Sequence, residues 1–490
     1  MAQWRGIAVD LGASHGRVML GEFDGNQLHV TELSQFPNTP AKIHGNLIWD
    51  YVRIYQETIS ALHRSLGRGL SFSSIGIDSW GVDFGLINKQ GELLDMPRHY
   101  RNDYFQNAMD SVFAAVDRRK LYMRTGIQVL RFNTIFQLTY LHHFRSYLLD
   151  VADKFLLIPD LLSYHLTGNL CAERTIASTT QLLGMASESW NKELIHQIQI
   201  PKELFPNVVE TGNVLGIVQK TLLQSTSGVN IQVINVGEHD TASAFAAMAD
   251  DDLNKVLISS GTWSLIGVVS DKPLITGVSY RRDITNERSV DGRYLVMRNM
   301  TGLWLIQELE RLFSEDGNQK NIAELTVLAT QSEPLRTLID PDAEDFLTPV
   351  NMIVAIQEYA AATGQSTPRN VGELCRTVFD SLVLKYRLVI TDLEHMIGRH
   401  FTVIRIVGGG ALNETLCQWL ADATGKVVVA GPGEATVFGN LGVQLVAAGE
   451  LRSTQDIPLL VERSCEIRRY WPTVLNEQWE RGYTSFLKLN

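Results

Sequence analysis

The feature that most limits how this chain can fold is a strand–polar turn–strand pattern that opens each half of the sequence. In the first half, the apolar run 6–10 is followed by the small residues of 11–16 and by a second β-like run, 17–23. In the second half, segment 255–270 repeats this layout, although few residue identities match. Two halves that begin alike indicate the duplication of one fold.

Helical spacing of apolar residues follows the strands in both halves, for example over 50–66 and 371–396. Strands interspersed with helices predict an α/β fold. We place a domain boundary in the acidic stretch 249–253, so that the two domains cover residues 1–248 and 249–490. Each domain is then long enough to bury a core of its own.

Composition excludes several other classes of protein. The 490 residues are 45% hydrophobic and 20% charged, which is ordinary for a globular protein. Acidic residues number 54 against 43 Lys and Arg, so the net charge is −11, and we expect neither nucleic acid nor a membrane as a partner. The 4 cysteines form no CxxC pair and Asp10 interrupts the apolar start, so we expect a cytoplasmic protein.

The first polar turn carries residues that suit phosphate and a metal ion. Small residues such as Gly12 let backbone N–H groups approach phosphate oxygens, and Ser14 and Arg17 add side-chain donors. A carboxylate at the end of a strand, here Asp10, suits hydrated Mg²⁺. An ordinary hairpin with a solvent-facing Asp10 explains these residues equally well.

Two later turns carry weaker signals of the same kind. Residues 259–262 offer three hydroxyl groups and a glycine after an apolar strand, and glycines 408–410 follow another strand. Glycines 408–410 leave no side chain to obstruct an adenine ring, which suits a nucleotide. The alternative for these glycines is a packing turn between a strand and a helix. Neither GxGxxG nor GxxxxGK[ST] occurs, so we expect any ATP site to be of a different type.

Segment 235–243 places several polar groups behind an apolar strand. The Asp240 carboxylate could accept the proton of a sugar hydroxyl as that hydroxyl attacks a γ-phosphoryl group, with His239 and Thr241 orienting the sugar. The alternative is a helix N-terminus capped by Asp240 or Thr241, and spacing alone favours that alternative.

Together these segments resemble the FGGY carbohydrate kinases, within the actin-like ATPase superfamily, over nearly the whole chain. The matching strings are VDLGASHGRVML, SIGIDSWGVDF, FNTIFQL, PDLLSYHLTG, HDTASA, SSGTWSLIG, RNMTGLWLIQE and IVGGGALN. The resemblance implies two actin-like (ribonuclease H-like) domains, each a mixed sheet flanked by helices, with a cleft between them for sugar and ATP.

The resemblance also implies a role for individual residues. Asp240 would be the general base and Asp10 would organise Mg²⁺. The sugar-binding residues would be Gly81, His239, Thr241 and Asn299. The ATP-binding residues would be Ala13, Ser14, His15, Gly16, Arg17, Thr262, Gln307 and Gly409.

The implied activity is transfer of the γ-phosphoryl group of ATP to the C1 hydroxyl of a ketose. The residues after SSGTW favour L-rhamnulose, with L-fuculose or another ketose as the alternative. Glu238 departs from the pattern of the family, and we expect it to bear on sugar preference. The rival classes are a non-catalytic sugar sensor and an actin-like or chaperone-like ATPase. Asp10 and Asp240 are both present, which argues against a sensor, and we expect a monomer or a homodimer.

Overall fold

The computed structural model describes residues 3–185, 189–223, 230–315, 320–473 and 477–489. Its strands are β1 (Trp4–Leu11), β2 (His15–Phe23), β3 (Leu28–Pro37), β4 (Ala41–Ile43), β5 (Asn46–Ile48), β6 (Ser74–Ser79), β7 (Phe84–Ile87), β8 (Lys154–Leu157), β9 (Ala172–Glu173), β10 (Val208–Val209), β11 (Val214–Ile217), β12 (Gln232–Ile234), β13 (Lys255–Ser260), β14 (Trp263–Ser270), β15 (Thr285–Arg288), β16 (Tyr294–Thr301), β17 (Val403–Val407), β18 (Val427–Ala430) and β19 (Arg468–Tyr470). Its helices are α1 (Tyr51–Gly67), α2 (Phe105–Ala115), α3 (Arg118–Thr125), α4 (Thr134–Phe144), α5 (Ser146–Val151), α6 (Ile158–Thr167), α7 (Arg174–Ser178), α8 (Lys192–Gln197), α9 (Asp240–Ala246), α10 (Gly277–Arg281), α11 (Trp304–Glu315), α12 (Ile322–Thr330), α13 (Met352–Ala362), α14 (Val371–Ile397), α15 (Glu414–Thr424), α16 (Ala435–Ala447), α17 (Ile457–Ser464) and α18 (Glu477–Phe486).

Helices α1 and α14 begin and end close to where the apolar spacing predicts, because their sequences carry clear end signals. The Asp50 carboxylate accepts a hydrogen bond from the backbone N–H of Arg53, and Asn370 caps α14 in the same way through Glu373. At the other end of α14, Gly398 adopts a left-handed conformation with φ of +71°, which glycine tolerates without steric cost.

The chain divides into two compact units, and neither is continuous in sequence. The first comprises Met1–Asp250, Val269–Val296 and Ala435–Ser464, and the second comprises Asp251–Val268, Met297–Glu434 and Cys465–Asn490. Two segments from the second half of the chain therefore complete the first unit. The predicted boundary at 248 divides the chain into two continuous segments, whereas these units are discontinuous. The boundary therefore stays a prediction.

The first unit is built on a six-stranded sheet with the order β11-β12-β6-β1-β2-β3. Strand β1 is antiparallel to β2 and parallel to β6, which is in turn parallel to β12. Helix α16 packs against β1 and β6, so β6 is buried throughout. Because the three parallel strands run the same way, their carboxyl ends meet at one edge of the sheet.

The second sheet has seven strands in the order β15-β16-β14-β13-β17-β18-β19, of which β13, β17, β18 and β19 lie wholly in the second unit. Strand β13 is antiparallel to β14 and parallel to β17, and β17 is parallel to β18. Strands β14, β13, β17 and β18 thus repeat the order and directions of β2, β1, β6 and β12. This agreement is what duplication of one fold predicts.

None of the helices in the described part of the chain combines the length and the apolar character that a membrane span requires.

Candidate active site

Polar side chains collect at the carboxyl edge of the first sheet. Asp10 on β1 and Asp78 on β6 are direct partners in the parallel register. One residue further on, Ser79 pairs in parallel with His239, and the Ser79 N–H donates to the carbonyl of Glu238 over 2.9 Å. The strand ends therefore bring Asp10, Asp78 and the start of α9, where Asp240 lies, to the same edge.

The turn between β1 and β2 is held by its own backbone and by Asn38. The Gly12 N–H donates to the His15 carbonyl over 2.9 Å, and the Asn38 amide donates to the Gly12 carbonyl over 2.8 Å. Ser14 and His15 are exposed, whereas Gly16 is buried where a Cβ would lie 2.3 Å from the ring of Phe36. A tight turn with exposed polar residues at its tip can present its N–H groups to an anion.

Arg17 and Asp10, the residues predicted to bind phosphate and Mg²⁺, form an ion pair. The Arg17 Nη2 atom donates to Asp10 Oδ2 over 2.5 Å, and the two residues face each other across β1 and β2. Asp10 is buried and Arg17 is half-buried, so this pair is less screened than one at the surface.

Asp78 was not singled out from the sequence, and it is the most buried carboxyl group at this edge. Burial raises its pKa well above the usual range, and the charges of Asp10 and Asp240 raise it further, while a hydrogen bond from Asn440 lowers it. Its Oδ1 atom is buried and has no hydrogen-bond donor among the described residues. The signal that could have found it is the register, since β6, like β1, carries a carboxylate near its end.

These carboxylates suit Mg²⁺ as that ion is usually bound, through one or two carboxylates together with water and substrate phosphates. Asp10 and Asp78 supply such a pair of hard oxygen donors, and the Oδ1 atom of Asp78 lacks a donor. Among the described residues there is no group of three His, Cys, Asp or Glu side chains that could hold a metal ion by itself.

Asp240 lies at the first position of α9, and the N-cap residue is His239, with no side-chain hydrogen bond at the cap. Neither Asp240 nor Thr241 is therefore the cap that the alternative predicts, and the Asp240 side chain is one-third exposed (33%). Burial raises the pKa of Asp240, the charge of His239 lowers it and the charge of Asp10 raises it. The hydroxyl of Thr241 donates to Asp240 Oδ1 over 3.1 Å. A carboxylate with a raised pKa and partial access to solvent is suited to accept a proton.

His239 lies between two carboxyl groups. Its Nδ1 atom is 2.9 Å from Glu287 Oε2, and its Nε2 atom is 3.5 Å from Asp240 Oδ1. Burial lowers the pKa of His239, and the charge of the nearby Glu287 carboxylate raises it, with a net rise. Glu287 comes from β15, and nothing in its local sequence indicates this role.

Gly81, the other sugar-binding residue predicted in this unit, lies two residues after the end of β6. It is half-buried, and a Cβ there would lie 3.0 Å from Thr179 Oγ1. Glu238, by contrast, is buried, and its Oε1 atom accepts a hydrogen bond of 2.8 Å from Asn235. Its carboxyl group is enclosed beside Asp160, so its contacts give no support to the expectation that it bears on sugar preference.

The remaining predicted residues lie in the second unit. The Thr262 hydroxyl donates to Gln307 Oε1 over 3.2 Å, which joins the β13–β14 turn to α11. Gly409 is exposed just after β17, and its nearest neighbour for an added Cβ is Leu303 Cδ1 at 3.5 Å. Asn299 is half-buried on β16, three residues before the turn into α11.

Comparison with known proteins identifies the family. The models of the N-terminal and C-terminal domains of the FGGY family of carbohydrate kinases match residues 6–246 and 256–448. The chain belongs to the FGGY family of carbohydrate kinases. It is 38% identical over 480 residues to the rhamnulokinase of Bacteroides thetaiotaomicron, with 98% of each chain covered. It is also 38% identical over 471 residues to that of Klebsiella pneumoniae, with 95% of this chain and 94% of the relative covered.

Solved structures of other kinases share the fold at low sequence identity. The xylulose kinase from Rhodospirillum rubrum matches with a TM-score of 0.79 at 18% identity, covering 99% of this chain and 98% of that one. The Plasmodium falciparum glycerol kinase with ADP matches with a TM-score of 0.78 at 14% identity, covering 99% and 97%. The predicted fold, two actin-like (ribonuclease H-like) domains with mixed sheets, is confirmed, and the chain is a carbohydrate kinase whose substrates are a sugar and ATP.

Proposed function

We propose that this FGGY kinase transfers the γ-phosphoryl group of ATP to the C1 hydroxyl of L-rhamnulose, with Asp240 as the general base. The observation that carries the proposal is the position of Asp240, a partly exposed carboxylate beside His239 at the edge that also holds Asp10. The choice of sugar rests on the rhamnulokinases, which match the chain over almost its full length.

The residues of the first unit account for the acceptor side of the reaction. Asp240 takes the proton of the C1 hydroxyl as its oxygen attacks phosphorus. Thr241 donates to the Oδ1 atom of Asp240 and fixes the direction of the other oxygen, while His239 lies beside the same Oδ1 atom. Gly81, His239 and Thr241 hold the ketose, so that catalysis consists largely of positioning and electrostatic stabilisation.

The donor side involves the first polar turn and the second unit. The exposed tip of the 12–16 turn and Arg17 would bind the phosphate groups of ATP, and Thr262, Gln307 and Gly409 would bind the nucleotide, with Asn299 contacting the sugar. Asp10, with Asp78 beside it, would hold Mg²⁺, which neutralises charge on the phosphate oxygens when it is bound.

The test is ATP consumption with Mg²⁺ across L-rhamnulose, L-fuculose, L-xylulose, D-xylulose, L-ribulose and glycerol. We expect the highest kcat/KM for L-rhamnulose, with formation of the 1-phosphate. Preference for another ketose would leave the proposed reaction in place and change only the proposed substrate. Absence of sugar-dependent turnover would instead favour the sugar sensor. ATP hydrolysis that does not depend on any sugar would favour the ATPase class.

Replacement of the base tests the mechanism itself. We expect Asp240→Asn to lower kcat by about 10²- to 10⁴-fold, the range of general base catalysis, with little change in melting temperature. Asp110→Asn, an exposed carboxylate on α2, is the matched control and should keep wild-type kcat. An unchanged kcat in the Asp240 variant would remove Asp240 from the mechanism.

The expectations of a cytoplasmic location, of a monomer or homodimer, and of no nucleic-acid or membrane partner remain predictions that this proposal includes.

A further inference from the structure

A strained turn follows β6 at the edge where the candidate site lies. Val82 has φ of +69°, and the N–H of Asp83 donates to the carbonyl of Gly81 over 2.9 Å. A hydrogen bond between residues two apart, around a central residue with φ near +75°, defines the rare and strained form of the γ-turn. A β-branched residue in this conformation is a true outlier, and such strain persists only where the surroundings enforce it.

The backbone of Val82 is fixed from three directions by buried side chains. Its N–H donates to Thr179 Oγ1 over 3.2 Å. Its carbonyl accepts hydrogen bonds from the Thr134 hydroxyl at 2.7 Å and from the Gln137 amide at 3.3 Å. Thr134 and Gln137 both lie on α4, so a rigid helix holds one side of the turn.

The residue that closes the turn is fixed even more firmly. The buried Asp83 carboxylate accepts hydrogen bonds from Trp49 Nε1 at 2.7 Å, Trp80 Nε1 at 3.0 Å, Gln137 Nε2 at 2.8 Å and the Tyr100 N–H at 3.2 Å. All of these partners can only donate at the bonded atom, so Asp83 is the acceptor in every one of these hydrogen bonds. The turn therefore ends on a carboxylate that cannot move without leaving buried donors unpaired.

Gly81 is the most exposed residue of the turn. It is half-buried, whereas Ser74 to Trp80 and Val82 to Ile87 are buried. The N–H of Trp80, just before it, donates to the carbonyl of Leu11 over 3.3 Å, which ties the start of the turn to the residue after Asp10. The strained geometry thus acts on a residue that is partly exposed and adjacent to the candidate site.

The geometry points to Val82 as a positioning residue: the γ-turn centred on it holds the Gly81 peptide group in a fixed orientation toward the ketose, so that sugar binding and discrimination among ketoses depend on the turn. This inference rests on the proposed function. The Val82 side chain packs in the core cluster that contains Trp49, Trp80 and Tyr100, which keeps the turn from relaxing.

Two variants relax the turn in different ways. Val82→Gly removes both the steric strain and the anchoring side chain, and Thr179→Val removes the acceptor of the Val82 N–H while keeping the shape of the side chain. We expect each to raise the KM for the ketose, by up to about tenfold, as for the loss of one or two well-placed hydrogen bonds. We expect the KM for ATP and kcat to stay within about twofold, since the turn contacts neither phosphate nor base.

The matched control is Gln199→Gly, which relieves a similar conformation (φ of +58°) at an exposed position. It should leave every kinetic constant unchanged. Binding of the ketose is measured by titration calorimetry in parallel, so that the turn is tested even where turnover is low. An unchanged KM and an unchanged dissociation constant for the ketose in a folded variant would overturn the inference. Absence of ketose turnover by the wild-type enzyme would instead overturn the proposed function.

Discussion

His239 has a carboxylate on each side of its ring, and of these two Glu287 raises the pKa of the imidazole more than Asp240 does. The charge of Glu287 raises the pKa of His239 against the lowering effect of burial, and the positive charge of His239 lowers the pKa of Asp240. Two further carboxylates act here: Glu173 also raises the pKa of His239, and Asp10 raises that of Asp240. Glu287 therefore influences the proposed base through the histidine.

Replacement of Glu287 by glutamine tests this coupling. Loss of the Glu287 charge lowers the pKa of His239, so less imidazolium is present near neutral pH, and the pKa of Asp240 rises. Because the base must be deprotonated, we expect the acid limb of the kcat/KM profile to move to higher pH in Glu287→Gln.

The control for this prediction is Asp291→Asn, which breaks the ion pair of 2.7 Å between Asp291 and Arg293 in the turn after β15. That variant should keep the wild-type pH profile. If Glu287→Gln lowered activity equally at every pH, Glu287 would have a structural role only.

At the scale of elements, two glycines beside the strand ends of the second unit have opposite requirements. A Cβ on Gly302 would lie 2.5 Å from Ser264 Oγ and 2.6 Å from the Gly261 carbonyl, whereas a Cβ on Gly409 would meet its nearest atom at 3.5 Å. The first glycine allows the β13–β14 turn and the start of α11 to approach each other closely. The second has room for a methyl group.

The two alanine variants should therefore differ. We expect Gly302→Ala to lower the free energy of unfolding by about 1–3 kcal/mol, the usual cost of forcing a methyl group into a packed site. Gly409→Ala should keep the wild-type melting temperature and raise the KM for ATP, because the methyl group would enter the proposed nucleotide site. A normal KM for ATP in Gly409→Ala would argue against that placement.

Sequence patterns predicted the elements better than the contacts between them. The apolar spacing predicts α1 and α14 within one residue at each end, and the repeated pattern predicts the β1–β2 and β13–β14 hairpins. Periodicity reports which face of an element is buried, but it does not identify the partner. Glu287 and the enclosure of Glu238 depend on tertiary packing, which explains why the first was missed and the second was given a role that its contacts do not support.

At the scale of the whole molecule, the first unit is completed by a helix from the far end of the chain. The Asn440 amide donates to Asp78 Oδ2 over 2.6 Å, and the Gln444 amide donates to the Ile7 carbonyl over 2.9 Å. The Ser74 hydroxyl donates to Gln444 Oε1 over 2.7 Å, and Gly439 has no room for a side chain against Ser243. Helix α16 thus satisfies polar groups of the central strands β1 and β6.

We therefore expect a fragment that ends at residue 296 to lack a cooperative thermal transition, although it contains the whole six-stranded sheet. Without α16, the Ile7 carbonyl and the buried Asp78 lose the hydrogen bonds that Gln444 and Asn440 donate, and unpaired buried polar groups are costly. Addition of a peptide covering Ala435–Ser464 should restore a cooperative transition in circular dichroism. A fragment that melts cooperatively by itself would show that α16 is dispensable for this unit.

The late position of α16 has a consequence for how the chain is made. Residues 1–250 emerge from the ribosome before Ala435 is synthesised. The sheet edge with Asp10, Asp78 and Asp240 is therefore made while the face that α16 covers is still open to solvent. Contacts that span more than 360 positions, such as Asn440 with Asp78, also form slowly because a long loop must close first. The first unit therefore cannot be completed until α16 has been synthesised. During translation, the uncovered face of the sheet is where chaperones would bind and aggregation would begin.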